Sequence, residues 1–450
     1  MANREELKQK IFGVIDRKRA EIEAIGDRIM ENPELGFKEF KTAGLVSETM
    51  TRCGISHRSG LAITGVKGVL RGKRQGPTLA LIGELDSIRV PEHPSADPKT
   101  GAAHACGHNA QIAGLIGAMM GLSQSGAADH LAGNVVFFAV PAEEYVEVEY
   151  RLGLVKEGKL AYLGGKPELI HLGHFDDIDI SVMIHTHSVP EMKKAAVAES
   201  SNGFLSKLVR FVGLAAHAGA LPHQGINALY AAQIALSAIN AQRETFRDED
   251  HIRIHPIITK GGDLVNVIPA EVRMETYVRG RSSDAIMDAN AKVDRALRAG
   301  ALALGAKVEI ETLPGFMPLR NDPGLKDIFL KNAKALFGEA ECCEVGHRTG
   351  STDMGDISHI MPALHPWMSG AEGPGHSARY RIADKEMAYM APAKALAAMA
   401  VDLLSGDADR AKAIIDTHRP AMTKEAYLAF QQGVFGREIY DGKTGKETDS

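Results

Sequence analysis

Residues 134–144 read Asn134-Val135-Val136-Phe137-Phe138-Ala139-Val140-Pro141-Ala142-Glu143-Glu144. The run from Asn134 to Val140 is of strand length and rich in β-branched and aromatic residues. It lacks the polar alternation of a half-exposed strand, so it predicts a central strand covered on both faces. Thr78 to Ile82 and Ile178 to Ile184 repeat the pattern. Between Ile82 and Asn134 lies Ala110 to Leu122, rich in Ala, Gly, Leu and Met, which predicts a buried helix. Upstream, Ile11, Val14, Ile15, Ile22 and Ile25 recur at helical spacing and predict one long amphipathic helix. Strands buried on both faces with helices between them define an α/β layer fold.

From about residue 200 the pattern changes. Ser206 to Gly213 predicts a strand, Ile226 to Gln242 a helix, and His251 to Thr259 and Glu271 to Val278 two further strands. Ala285 to Leu304 then predicts a helix and Lys307 to Thr312 a last strand. The order βαββαβ is that of a ferredoxin-like sandwich. Residues 200–315 are therefore expected to form an inserted domain. Residues 1–199 and 316–450 should form a mixed-sheet catalytic domain that resumes after it, with helices near Leu325 to Phe337 and Ala391 to Leu404. The polar segment from about Lys424 has no strong period and predicts no element. A chain of 450 residues is long enough for two such cores.

A formal net charge of -5 comes from mixed signs without a long basic run, which argues against a nucleic-acid partner. The N-terminal residues lack the apolar core of a signal peptide. No apolar run is expected to reach the roughly 18 residues of a membrane span. Cys53, Cys106, Cys342 and Cys343 follow no secreted disulfide spacing. The expectation is a soluble, cytoplasmic protein with no membrane contact.

His104-Ala105-Cys106-Gly107-His108-Asn109 stands just before the buried helix. Thiolate and imidazole are good ligands for zinc-like ions, and a helix N-terminus favours the thiolate. Gly107 lets the backbone bend so that both neighbours face one point. A buried free cysteine beside an incidental histidine is the plainer alternative. Glu143 and Glu144 leave the end of a buried strand, where adjacent carboxylates need cations or protons to compensate them. Adjacent residues point in different directions, so one can hold a metal while the other faces a water. His185 directly follows the Ile178 to Ile184 run and is preferred over His187 as a ligand. His376 sits in the turn Gly373-Pro374-Gly375-His376-Ser377. Three of these four motifs lie at strand ends, where open α/β sheets place their sites. No G-x-S-x-G elbow supports a serine hydrolase.

In this order, HACGHN, PAEE, a strand-end histidine, an inserted sandwich and a late histidine resemble the aminoacylase and carboxypeptidase-like amidohydrolases. That group includes hippurate, indole-acetyl-amino-acid and aminobenzoyl-glutamate hydrolases. The resemblance runs from Asn32-Pro33-Glu34-Leu35-Gly36 to near Leu404 and covers Gly261-Gly262 and Asn266-Val267-Ile268-Pro269. It implies that Cys106, His108, Glu144, His185 and His376 bind two divalent ions, zinc or manganese. It further implies that Glu143 is the general base and that Asp86, in Glu84-Leu85-Asp86-Ser87, supports the site. By the same resemblance, the inserted domain is a lid and dimerisation module whose His217 reaches an active site across a homodimer. Asn266 and Arg279 would hold a substrate carboxylate. Asn109 stands where an aspartate is usual, Ile82 where an arginine is frequent and Thr352 where a glutamate is frequent. Ser351-Thr352-Asp353 and Leu364-His365-Pro366 look more like the aminobenzoyl-glutamate hydrolase and dipeptidase-like branch.

The expected activity is metal-dependent hydrolysis of an N-acyl or N-aroyl amino acid such as an aminobenzoyl-glutamate-like molecule. Glu143 would take a proton from a metal-activated water and return it to the leaving amine. A metal and His217 would stabilise the oxyanion. A dipeptidase and a non-catalytic subunit of a hetero-oligomeric hydrolase are the alternatives. The second is disfavoured because the base and all the candidate ligands are present.

Overall fold

The computed structural model describes residues 4–448, and these divide into two compact units. The first runs to Glu199 and includes Arg320–Gly346 and Asp356–Lys424; the second holds Ser200–Leu319, His347–Gly355 and the chain from Glu425.

In the first unit the strand Ala132–Val140 lies between Gly65–Arg71, antiparallel to it, and Arg74–Glu84, parallel to it. Ile180–Met183 and Ala363–Leu364 follow in parallel, and Ser56–Leu61 closes the opposite edge antiparallel. In this register Glu84 pairs with Val140 and Ile82 with Met183. The segments that leave these parallel strands, Leu85-Asp86, Glu143-Glu144 and His185, therefore emerge together at their C-terminal ends. Helix His108–Gln124 is buried along most of its length, and helices Arg4–Arg17, Arg19–Met30 and Ala391–Leu404 pack on it. Such close approach needs small residues; a Cβ on Gly121 would come within 2.7 Å of Ile15. Ile112, Leu115, Ile116 and Met119 are fully buried on this helix, each contributing roughly 1.5–3 kcal/mol.

In the second unit Gly203–Val212 pairs antiparallel with Glu271–Gly280 and Lys307–Pro314. Glu271–Gly280 pairs in turn with Arg253–Ile254 and Ile257–Lys260. Helices Ala228–Ala241 and Ser283–Leu304 share one core with the inward residues of these strands, Val209, Phe211, Val272, Met274, Val308 and Ile310 among them. The fold is mixed α/β, and this unit has the βαββαβ order that the sequence predicts.

Several expectations change. The opening helix is two helices, broken at Lys18 (φ -93°, ψ 5°); the apolar spacing runs through the break because both halves pack on the same buried helix. The strand expected over His251 to Thr259 is split at His255-Pro256, where proline has no N–H to give the ladder. The segment from Lys424 is structured as helix Lys424–Val434 and strands Gly436–Asp441 and Lys446–Thr448, which extend the second unit's sheet beyond Lys307–Pro314. Charged pairs such as Arg298 Nε with Glu438 Oε1 at 2.7 Å hold this polar hairpin, so no apolar period marked it. His347–Gly355 and the residues from Glu425 thus pack with the second unit, a departure from the expected catalytic segment 316–450. Glu386–Leu404 is long and apolar enough by composition to cross a membrane, contrary to expectation, but 94% of that window is buried inside the fold. An alanine-rich core helix produces the same signal.

Candidate metal centre

Gly107 caps helix His108–Gln124 in a left-handed conformation, φ +92°. The bend turns Cys106 and His108 towards the strand ends. Cys106 Sγ lies 3.4 Å from His185 Nε2, and His376 Nε2 lies 3.2 Å from Glu144 Oε1. The donor atoms of Cys106, His108 and His185 lie within 4.8 Å of one another, and so do those of Cys106, Glu144 and His376. All the expected ligands are thus brought together, with the thiol common to both groups. His187 belongs to none of these donor groups; its Nδ1 accepts from the Val189 N–H at 3.1 Å.

Backbone contacts orient the donors. His108 Nδ1 donates to the Asp86 carbonyl oxygen at 2.9 Å, which leaves Nε2 facing the centre. Asp86 Oδ2 accepts from the Glu144 N–H at 2.9 Å, so one residue aligns two neighbours. His185 Nδ1 donates to the Thr186 carbonyl at 2.7 Å, again freeing Nε2. His376 adopts a left-handed φ of 58°, and its N–H donates to the Ala105 carbonyl at 2.8 Å. Such a conformation costs about 1–3 kcal/mol in a non-glycine residue and persists where the surroundings enforce it.

Burial disfavours charge here, yet charge prevails. Despite burial and the nearby Glu144, the imidazoles of His108 and His185 draw the Cys106 thiol down to about 6. Against burial, His376 draws the Glu144 carboxyl down to about 2, and Glu144 raises His376 to about 11. Anions that retain protons on adjacent rings mark a place where cations are stabilised. Divalent ions can take the place of those protons, because ligating imidazoles are neutral and ligating thiols deprotonated. The buried His108 Nε2 has no hydrogen-bond partner, and thiolate, imidazole and carboxylate are a donor set suited to zinc-like ions. The residues fit a metal centre.

Glu84, Lys166, His365 and Tyr380 also belong here and were given no role from sequence. Glu84, His108 and Glu143 form a third group of mutually close donors. Lys166 Nζ donates to Glu84 Oε1 at 2.6 Å, both side chains being buried. The His365 ring meets that of His185 edge-on at 5.8 Å. Glu84 carried the signal that found Glu143, an acid at the end of an apolar strand; the other three had no local signal. Asn109, the departure from the usual aspartate, donates to the Gly26 carbonyl at 3.3 Å and the Tyr389 hydroxyl at 3.2 Å.

His217, Asn266 and Arg279 lie in the second unit. His217 pairs with Val267 across an antiparallel bridge, and the Ala218 N–H donates to the Asn266 carbonyl at 3.0 Å. Their two exposed loops therefore run side by side. Arg279 donates to Ser351 Oγ at 3.0 Å and lies 5.3 Å from the ring centres of Phe204 and Tyr277.

The Gly107 bend can be tested by Gly107→Ala. A Cβ there would stand 2.3 Å from Tyr380 Oη, added to the strain of a left-handed alanine, about 1–3 kcal/mol. Chemical denaturation should show at least that loss, and Tyr380→Phe in the same chain should restore part of it by removing the clashing oxygen.

A thiolate, histidine and carboxylate cluster at the strand ends of a mixed α/β unit is a donor set for divalent metal. Residues 80–401 match the model of peptidase family M20/M25/M40, and the chain belongs to that family. It is 30% identical over 317 residues to the Xaa-Arg dipeptidase of Mus musculus, covering 67% of each chain. Identity to the hippurate hydrolase of Campylobacter jejuni is 25% over 386 residues, 82% of this chain and 94% of the other. A dinuclear metal-binding peptidase of the M20 family from Bacillus subtilis shares the fold. Its TM-score is 0.64 at 21% identity, over 86% of this chain and 99% of that one.

Proposed function

We propose that the chain hydrolyses the amide bond between an acyl or aroyl group and an amino acid with a free carboxylate, using two divalent ions held by Cys106, His108, Glu144, His185 and His376. The observation that carries this reading is the shared thiol: Cys106 belongs to both donor groups, so one residue would help to hold each of the two ions. When bound, the ions polarise the scissile carbonyl and make water acidic enough to react near neutral pH. Glu143 Oε2 stands 3.9 Å from His108 Nε2. It takes the proton of the attacking water and passes it to the leaving amine. Asp86 holds His108 and the Glu144 backbone in place for this step.

Asn266 and Arg279 hold the carboxylate of the leaving amino acid. With its guanidinium carbon 5.3 Å from the ring centres of Phe204 and Tyr277, within cation–π range, Arg279 is held in place before substrate arrives. Two parallel hydrogen bonds from that fork match a carboxylate. Arg279→Met should lower kcat/KM for an N-acyl glutamate by about 1.5–3 kcal/mol, the range for charged hydrogen bonds. The substrate with its carboxylate amidated should be a poorer substrate for wild type and little affected by the change. Equal cleavage of both by wild type, with neither slowed in Arg279→Met, would exclude carboxylate anchoring.

A dipeptidase is the second reading, favoured by the relative named Xaa-Arg dipeptidase. A dipeptide also leaves an amino acid with a free carboxylate, so the two readings differ only on the acyl side. A screen of N-acyl amino acids and unblocked dipeptides, with zinc- and manganese-loaded protein, separates them. Turnover of dipeptides alone selects the dipeptidase, and turnover of neither by the purified chain selects a non-catalytic subunit.

The reading includes a homodimer built through the second unit. The tail hairpin covers one edge of its sheet, while among the described residues Ile257–Lys260 pairs on one side only, with Ile257 and Ile258 exposed. An open apolar edge strand invites pairing. A reducing, cytoplasmic setting suits a thiolate ligand and four cysteines that are all free.

A further inference from the structure

We propose that Glu84 is a sixth protein ligand of the metal centre, meeting through Oε2 the ion that His108 holds; this rests on the metal reading above. His108 Nδ1 faces the Asp86 carbonyl oxygen at 2.9 Å and Asp86 Oδ1 at 3.3 Å. A carbonyl oxygen only accepts, so Nδ1 donates and Nε2 is the nitrogen that faces the centre. Nε2 stands 3.1 Å from Glu84 Oε2, and the donor atoms of Glu84, His108 and Glu143 lie within 4.8 Å of one another. An ion held by His108 Nε2 therefore has Glu84 Oε2 within reach.

The spacing agrees. Donors that share a tetrahedral ion with bonds of about 2.0–2.2 Å lie roughly 3–3.5 Å apart. Cys106 with His185 and Glu144 with His376 show the same separation, 3.4 and 3.2 Å. Glu84 is held as ligating carboxylates are, by outer hydrogen bonds. Lys166 Nζ engages Oε1 at 2.6 Å, and Gln111 Nε2 donates to Oε2 at 2.7 Å. Gln111 Oε1 accepts from the Glu84 N–H at 3.2 Å, which fixes the pair in register. With one hydrogen bond accepted, Oε2 keeps a lone pair for the centre. Lys166 offsets the added negative charge.

The competing account is a buried Lys166–Glu84 ion pair that braces the site without touching an ion. Glu84→Gln separates the two, since glutamine keeps the shape and an acceptor for Lys166. Metal-free protein is titrated with cobalt, and affinity for each ion is read by chelator competition alongside the visible spectrum. The expected result is a loss of at least about 100-fold in affinity for one ion and altered cobalt bands, with the second ion retained; loss of an outer partner costs only about 10–100-fold. Both ions bound with unchanged affinity and spectrum would overturn the proposal. If Glu84→Gln does not fold, a zinc-loaded crystal structure of the unaltered chain decides it. Glu84 Oε2 within about 2.2 Å of an ion supports ligation. An ion on His108 with Glu84 Oε2 beyond its bonding distance overturns the Glu84 proposal alone, whereas no ion at His108 overturns the wider metal reading with it.

Discussion

Glu143→Gln is expected to retain both ions and to lose turnover by about 10²–10⁴-fold, the span that a positioned acid or base contributes. The substitution preserves the shape of a residue that is 8% exposed in a crowded centre. It removes only the ability to take a proton from water and hand it to the amine. Cys106→Ala should behave differently. The thiol is common to both donor groups, so its loss should loosen both ions and abolish activity through the metal. Metal content of the purified variants, set beside kcat at saturating substrate, tells these outcomes apart. A Glu143→Gln chain that loses metal together with activity would make Glu143 a ligand, as its place beside Glu84 and His108 permits. A fully loaded, active Cys106→Ala chain would end the assignment of the centre.

The strand ends made this centre legible. Apolar runs such as Asn134 to Val140 must be covered on both faces, and a charged residue directly after one is held where burial and chemistry meet. That logic reached Glu143, Glu144 and His185, and it would have reached Glu84 had the run from Thr78 been followed past Gly83. Lys166 and His365 were not legible. They come from a short helix and a loop far away in sequence, and only the fold brings them to Glu84 and His185. The backbone of His376 was equally hidden, because a left-handed histidine held against Ala105 is a tertiary effect.

In the second unit the periodic elements were legible and the returning segments were not. Strand and helix periods marked Gly203–Val212, Ala228–Ala241 and Ser283–Leu304 to within a few residues. His347–Gly355 joins that unit without any apolar pattern. Its attachment is backbone pairing, the Arg348 N–H donating to the Ser200 carbonyl at 2.9 Å and the Asn202 N–H to the Arg348 carbonyl at 3.0 Å. Hydrogen bonds of the main chain leave no trace in side-chain composition, which is also why the tail hairpin went unseen.

His217→Ala is expected to lower kcat by about 10²–10³-fold, the effect of removing one donor to a developing oxyanion. The chemistry of the ring supports this role. Its Nδ1 accepts from the Gly219 and Ala220 N–H groups at 3.2 and 3.0 Å, which leaves Nε2 as the donor. A neutral imidazole locked in that tautomer is a preorganised donor and needs no rearrangement when charge develops. If the ring serves the partner's centre in the proposed homodimer, two inactive chains should repair each other. Glu143→Gln and His217→Ala proteins, mixed and allowed to exchange subunits, would form dimers in which one of the two centres has both groups intact. With random exchange half of the dimers are mixed, so recovery should approach about one quarter of the wild-type activity per total centre. Exchange is followed by mass, with one protein isotopically labelled. Complete exchange without recovered turnover would show that His217 does not act across the dimer, while undiminished kcat in His217→Ala alone would remove it from the reaction.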